Sequence, residues 1–354
     1  MFHKNRRQFI KQCALCTGAL SFSITSNAQN SLHKSPQEIL KGVKSFLYQV
    51  ADKDGSFRPG INPNYKGNSD TFLSGIAAPT YAAILCQTFG WSLPYPDKTK
   101  EFILSLQKPD GAFYAITGDL DPNAPLAKLY NTVQGLVTLH LLGAKPKYDP
   151  MPVIEHFFQG TGFKELPLYT TSFFPHFFNA LGKKMPARID KKMRELILSE
   201  QTEDGYLRNH VASTFHAAHY FRLIGQPTPK AKAMVDRVIN DQKDDGSWHL
   251  HPPDWDVHAA FDALFILRQL GEPNDPRLKK VYNKANQWIL QCRKPDGGFS
   301  HYPGNPDSDV DAVYFHIGAL VETGFLKMQK NLKNEELLGW GHAMLPDKKY
   351  SCID

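Results

Sequence analysis

Cysteine is scarce in this chain, with five among 354 residues. Cys13 and Cys16 sit near the N-terminus, and Cys86, Cys292 and Cys352 stand far apart, a pattern that excludes a disulfide-built scaffold and matches no zinc knuckle. Long apolar runs are also missing. The longest, from about Cys13 to Ile24, falls short of the ~20 residues that cross a bilayer, so no transmembrane helix is predicted. Nor is there a real excess of either charge. The formal net charge is +6, but Lys4, Arg6, Arg7 and Lys11 supply four positive charges, and residues 1–28 contain no acid. The remainder carries +2, too little to support nucleic-acid or anionic-membrane binding. With 42% apolar and 21% charged residues the chain is also not disordered by composition. Strand patterns are sparse, which leaves an all-α reading.

The first residues, MFHKNRRQFIKQCALCTGALSFSITSNAQN, run from basic to apolar to the small-residue pattern Ser26-Asn27-Ala28. That order predicts an export signal over 1–28, cut near Ala28, and a mature chain that is periplasmic or extracellular. Arg6-Arg7-Gln8-Phe9-Ile10-Lys11 resembles the twin-arginine signal. The resemblance implies the twin-arginine export machinery as a partner, which carries proteins already folded.

The rest of the chain is repetitive. Six apolar helical runs end in glycine: Phe89-Gly90, Leu142-Gly143, Leu181-Gly182, Ile224-Gly225, Leu270-Gly271 and Thr323-Gly324, spaced by 53, 39, 43, 46 and 53 residues. Glycine takes the left-handed conformation that closes a helix, and each interval holds two helices. A second series interleaves with the first: Asp54-Gly55, Asp110-Gly111, Asp204-Gly205, Asp245-Gly246 and Asp296-Gly297, each followed within two residues by Phe57, Phe113, Tyr206, Trp248 or Phe299. Asp-Gly reverses the chain, and the aromatic is expected to pack back on the helix end near a glutamine amide (Gln107, Gln201 and Gln242). The stretch Gln159-Gly160-Thr161-Gly162-Phe163 reads as a sixth copy without its Asp. Six turns and six glycine ends predict six helix pairs over residues 29–354, with a C-terminal extension. Segments such as FDALFILRQL are apolar on too many faces for a one-sided helix, as an inner helix covered by an outer one would be.

Gln242-Lys243-Asp244-Asp245-Gly246-Ser247-Trp248, together with the six pairs, resembles the repeat of the terpenoid cyclase and protein prenyltransferase superfamily over roughly residues 36–326. The resemblance implies an α6/α6 toroid, six inner helices inside six outer ones, with a ligand cavity at one end of the inner ring. It makes a prenyl or terpenoid molecule the default ligand.

Counting 15 residues back from each glycine places Gly75, Lys128, Pro167, His210, Asp256 and Asp309 at one level. The similar stretches DWDVHA (254–259) and DSDVDA (307–312) therefore open successive inner helices. In a toroid the candidates at this mouth are Lys128, Tyr130 and Asn131, then Tyr169, His210, Asp256, His258, Asp309 and Asp311. Asp254, Asp256, Asp307 and Asp309 also suit helix capping, because acids there complement the helix dipole. His258 is not explained that way, since a cationic ring is disfavoured at a helix N-terminus; it should stay neutral and available as a ligand or base.

Prenyltransferase β subunits are similar here: they bind zinc through an Asp-x-Cys pair and an Asp-x-x-His. This chain offers Asp256-Val257-His258 and Asp309-Val310-Asp311-Ala312, with Ala312 where the family's histidine belongs. Any divalent transition metal, zinc foremost, would need a rebuilt set: Asp256, His258 and Asp309, or Asp311 in place of Asp309, with His210 as an optional further ligand. The last motif also resembles the Asp-x-Asp-Asp proton donor of class II cyclases, which makes Asp311 the acid, although a chain that fills one toroid speaks against that branch.

Three functions compete. The first is an exported enzyme on a lipid-like ligand, with Asp311, His210 and Tyr130 as catalytic groups, Lys128, Asn131 and Tyr169 binding substrate, and Asp256, His258 and Asp309 holding metal. The second is a polysaccharide lyase or hydrolase acting on a glycan with Tyr130, Asn131, His210 and the carboxylates. The third is a non-catalytic toroid that binds a peptide, glycan, lipid or other small-molecule ligand outside the cytoplasm. Without a Gly-Cys-Gly-Glu-Gln thioester, the complement-like use of the fold is excluded.

Overall fold

The computed structural model describes residues 35–159, 162–250 and 257–329. The expected export signal, Asp254, Asp256 and the C-terminal extension lie outside the described residues. Thirteen α-helices are present among those described. In chain order they are α1 (Pro36–Val50), α2 (Ser69–Leu73), α3 (Ala77–Phe89), α4 (Pro96–Ser105), α5 (Pro125–Leu141), α6 (Met151–Phe158) and α7 (Phe173–Ala180). Then follow α8 (Ala187–Glu200), α9 (Val211–Leu223), α10 (Ala231–Asn240), α11 (Val257–Leu270), α12 (Pro276–Gln291) and α13 (Val310–Glu322). None of the described helices is long and apolar enough to cross a membrane.

The helices sort into two rings. In α1 the Ser35 hydroxyl accepts from the Glu38 amide at 3.3 Å, and the Glu38 carboxylate accepts from the Ser35 amide at 2.8 Å; this reciprocal cap starts the helix. One stripe, Ile39, Val43, Phe46, Leu47 and Val50, is buried, which is the pattern of an outer helix. In α9, by contrast, every residue but Arg222 is buried. The inner helices α3, α5 and α7 pack in sequence, as do α9, α11 and α13; α13 returns to α3, and α7 meets α9 through the Phe173–His216 and His176–His219 ring contacts, so the ring closes. The third pair is the irregular one: α7 is short, and a 3-10 turn, Leu168–Thr170, packs against α9 ahead of it.

Five Asp-Gly turns hand the chain from the outer ring to the inner one. Asp54, Asp110, Asp204, Asp245 and Asp296 each accept a hydrogen bond from the backbone amide two residues on, at 2.9–3.2 Å. The glutamine does more than the repeat pattern suggested. Gln107, Gln201 and Gln242 each donate to their own turn's glycine carbonyl (3.1, 3.1 and 3.2 Å) and also to Tyr148, Pro229 or Val281, backbone at or just before the next outer helix (2.8, 3.0 and 3.0 Å). The glutamine therefore ties one repeat to the next. Phe57, Phe113, Tyr206, Trp248 and Phe299 are all buried, and the Trp248 indole donates to the Val238 carbonyl at 2.8 Å, so these rings are architectural.

Two expectations need correction. Gly162–Glu165 forms a 3-10 turn, and no bridge like those at the Asp54, Asp110, Asp204 and Asp296 turns occurs there among the described residues. At the helix ends, Gly90, Gly143, Gly182, Gly225 and Gly324 are left-handed, but Gly271 is not; its amide continues the helical bonding to Leu267 at 3.0 Å.

The sixth turn closes the outer ring. Gly297 has φ +93°, and a Cβ there would lie 2.4 Å from the Gly42 carbonyl oxygen in α1. Gly143 has φ +68°, and a Cβ there would meet nothing within 4 Å. Gly143→Ala should therefore cost only the left-handed backbone, about 1–2 kcal/mol. Gly297→Ala adds a backbone collision and should cost about 2–3 kcal/mol more. Urea denaturation of the two variants beside the unaltered chain measures the difference.

Candidate active site at the mouth of the inner ring

Asp309 is the N-cap of α13 and accepts the Asp311 amide at 2.8 Å, so the capping reading holds for it. It also does more than cap. The Thr71 hydroxyl reaches both of its carboxylate oxygens at 2.9 Å, and the Asn68 amide donates to one at 3.1 Å. Asp309 thus binds α13 to the short helix α2 with its oxygens well satisfied, and it is completely buried.

Asp311 is also completely buried, but in the opposite condition. Its neighbours are two imidazoles: His258 Nε2 lies 3.4 Å from one oxygen, and His301 Nε2 lies 3.6 Å from the other. His258 Nε2 is also 3.1 Å from the Ser69 hydroxyl, and its ring lies over Phe315 at a centroid separation of 3.6 Å. A third carboxylate, Asp70 of α2, takes a short hydrogen bond from the Tyr81 hydroxyl and interacts with the Tyr130 hydroxyl. Tyr81 stacks on Tyr314 at 4.1 Å.

The electrostatics follow from this burial. Loss of solvent pushes the Asp311 carboxyl up to about 7; His258 opposes the shift, and the Asp70 charge adds to it. The phenols of Tyr81, Tyr130 and Tyr314 are held far above their usual value, first by burial and then by the carboxylates, so they remain neutral. The mouth is a largely buried, aromatic-walled acid cluster, in which loss of solvent lets Asp311 hold a proton near neutrality.

Two groups here place their ligand atoms within 4.8 Å of one another: Asp70, His258 and Asp311, and His301, Asp309 and Asp311. One imidazole and two carboxylates suit zinc and neighbouring divalent metals. The prenyltransferase-type set is not reproduced, because Ala312 is a buried methyl where its histidine would stand, and Asp256 is outside the described residues.

Of the other expected residues, Tyr130 joins the cluster through Asp70. Asn131 is buried beside it and accepts from the Ser74 hydroxyl at 2.7 Å. Lys128 turns away, pairing with Asp110 at 3.1 Å over the Tyr114 ring. His210 caps α9, its Nδ1 accepting the Ser213 amide at 3.1 Å, and Tyr169 is exposed on the 3-10 turn. Asp70, Ser69, Tyr81, His301 and Tyr314 were not anticipated. Asp70 stands on α2, an extra helix ahead of the level marked by Gly75, and His301 follows the sixth turn by two residues, outside a count made from helix ends.

From the mouth inward, rings from all six inner helices follow one another: Tyr130 to Phe173 (6.1 Å), Phe173 to His216 (5.5 Å), Phe215 to Phe261 (5.8 Å), Phe261 to Phe315 (6.1 Å) and Phe315 to Tyr81 (5.8 Å). A surface cavity of about 320 Å³ beside Leu267, Arg268, Tyr282 and Thr323 lies at the C-terminal ends of α11 and α13, the opposite end from Asp311, and takes no part in this chemistry.

The family model of the prenyltransferase alpha-alpha toroid domain matches residues 2–125 and 127–344. The β subunit of geranylgeranyl transferase type 1 from Arabidopsis thaliana is 27% identical over 195 residues, 53% of this chain; the match spans 47%, about half, of that relative's length. Among solved structures, a variant of the type II terpene cyclase MstE from Scytonema, in complex with its product merosterolic acid A, superposes with TM-score 0.51 at 14% identity, covering 86% of this chain and 100% of that one. A protein from Actinoplanes gives 0.53 at 15% identity, over 82% and 100%. A glycosidase variant in complex with glucose gives 0.52 at 11% identity, over 86% and 100%. At these identities the structures share the fold.

Asp309 carries the local stability of this site. Asp309→Ala removes a cap, worth about 1 kcal/mol, and takes from Thr71 and Asn68 their charged acceptor, about 1–3 kcal/mol, leaving them only their bonds to each other. Chemical denaturation should show a loss of several kcal/mol, and Asp309→Asn, which keeps an acceptor, should lose less.

Proposed function

The chain belongs to the prenyltransferase alpha-alpha toroid domain family, and within it we propose an exported enzyme that transforms a prenyl or terpenoid ligand by proton transfer from Asp311. One observation carries this reading: a fully buried carboxyl set among aromatic rings and within 3.4 Å of an imidazole, where loss of solvent pushes its proton affinity up. Export rests on the Arg6-Arg7 pattern and the small residues before Ala28.

An alkene is a weak base, so protonating it takes an acid that is still protonated at the working pH and a site that favours the resulting ion pair. Burial raises the free energy of the Asp311 anion, but the carbocation formed beside it restores a charge pair in a low-dielectric site. The proton passes from Asp311 to an alkene carbon, the π electrons form the new C–H bond, and the cation develops against Tyr81, Tyr314 and Phe315, whose ring faces attract positive charge. Loss of a proton elsewhere on the ligand completes an isomerisation that needs no co-reactant. His258, oriented by Ser69 and with its side chain 12% exposed, links Asp311 to solvent and can return the proton.

A second reading takes Asp70, His258 and Asp311 as ligands of one divalent metal, zinc first, which would supply Lewis acidity at the mouth. It is favoured by ligand atoms within 4.8 Å of one another. Metal analysis of protein purified without chelators separates the two. The proton-transfer reading expects no stoichiometric metal, whereas the metal reading expects one per chain, lost in both Asp70→Ala and His258→Ala.

Under the first reading Asp311→Asn should lower turnover of a prenylated substrate by about 10²–10⁴-fold. Activity should be full below about pH 7 and fall as the pH rises through it, because the protonated form is the donor. Stability carries the same sign. The folded chain holds this proton more tightly than the unfolded chain, whose carboxyl titrates near 3.9, so the contribution is complete below that value and is lost as pH rises toward 7. Thermal melts over this window should slope downward for the unaltered chain and more weakly for Asp311→Asn.

A further inference from the structure

Asp311 is completely buried, so a ligand can take its proton only after something beside it moves. The groups around it differ in how firmly they are held. Tyr81, Tyr130, His258 and Tyr314 stand on the inner helices α3, α5, α11 and α13, where displacing one would break the contacts between the aromatic rings. His301 is buried as well. Asp70 and Ser69 stand on α2, a helix of five residues that belongs to neither ring and of which only Thr71 is buried. Lifting α2 therefore uncovers little apolar surface.

The two ends of α2 are attached by different means. Its C-terminal end is tied backbone to backbone to the connection ahead of α5: Gly75 donates to the Thr117 carbonyl at 2.9 Å, and Asp119 and Leu120 donate to the carbonyls of Phe72 and Leu73 at 3.0 and 3.2 Å. Its N-terminal end is tied through side chains to the acid cluster. The Thr71 hydroxyl and the Asn68 amide donate to the Asp309 carboxylate, the Ser69 hydroxyl lies 3.1 Å from His258 Nε2, and Asp70 meets the Tyr81 hydroxyl. Each of these bonds joins polar groups that water can satisfy once the end is lifted, so breaking them loses little net free energy. The backbone favours release too. Ser69 is held at φ +51°, a left-handed conformation that a residue with a side chain rarely takes. Residues 61–67, none of them buried and ending in Gly67 at φ +88°, give the chain slack on that side.

We propose that α2 is a lid on the mouth, hinged at Gly75 and its backbone bonds to residues 117–120 and latched through Asn68, Ser69, Asp70 and Thr71 to Asp309, His258 and Tyr81. Open, it admits an apolar ligand to Asp311. Closed, it keeps water out while the proton moves and returns Asp70 and Ser69 to the cluster. The lid rests on the proton-transfer reading for its purpose and adds to it the gate that controls access to the acid.

Hydrogen exchange of single amides in the full chain, beside labelling by dicyclohexylcarbodiimide, tests this. In the unaltered chain the Asn68 amide at the latch should exchange at least about tenfold faster than the Gly75, Asp119 and Leu120 amides at the hinge. Ser69→Ala, which touches neither partner of the Asn68 amide, should speed exchange at Asn68 about tenfold further, the ratio that one hydrogen bond of about 1.4 kcal/mol gives, and leave the hinge amides unchanged. Thr71→Val is the second such variant. The carbodiimide is apolar and couples to protonated carboxyls, so at mildly acidic pH its labelling of Asp311, read by peptide mass spectrometry, should rise in step with exchange at Asn68. Latch and hinge amides that lose protection together overturn the lid, as does Asp311 labelling that neither variant accelerates. An Asp311 left unlabelled in every chain overturns it too. Should neither variant fold, the exchange pattern of the unaltered chain decides alone. Neither measurement uses turnover, so a failed lid leaves the proton-transfer reading standing with another entrance. Absence of turnover, with the exchange and labelling results as expected, sinks that reading and leaves the lid.

Discussion

The contact that the whole structure depends on is backbone against backbone: Gly297, at the last Asp-Gly turn, lies on Gly42 of the first outer helix. Each earlier turn is pinned to the next repeat in a related way, three of them with a glutamine amide spanning the joint. Because every turn delivers the chain inward in the same direction, the inner helices all begin at one end of the toroid. Sequence positions far apart, α2 near residue 70, α11 at 257 and α13 at 310, are thereby brought to one mouth. Without closure between the sixth repeat and the first, Asp70 would not meet Asp311.

That mouth sets an unusual electrostatic problem: three carboxylates with little solvent. Asp309 is stabilised by a full set of donors from Asn68, Thr71 and its own helix. Asp70 is stabilised by phenols. Asp311 has two imidazoles at 3.4–3.6 Å and no comparable donor set, so it is the group whose charge is least supported. Two acids on one helix turn, two residues apart, thus take different roles, one structural and one able to hold and release a proton.

The toroid was legible because its signals are local and repeated. Asp-Gly turns and glycine helix ends depend on backbone conformations that few residues adopt, and the interval between them fixes two helices per repeat. Asp309 and Asp311 were legible for the same reason, since counting from Gly324 placed them at a helix start. Asp70 and His301 were not, because they come from irregular segments ahead of inner helices, where no count applies. Lys128 satisfied the count, yet its long side chain followed the nearest carboxylate, Asp110, out of the site.

The central claim is that Asp311 is a carboxylic acid, not a carboxylate, in the folded protein just below neutral pH. Infrared difference spectroscopy reads this directly, through the carbonyl stretch of a protonated carboxyl and its shift in heavy water. The account predicts a band from one buried acid at mildly acidic pH, fading as pH rises through about 7 and missing in Asp311→Asn. No such band at mildly acidic pH, or a band that Asp311→Asn leaves in place, would contradict it.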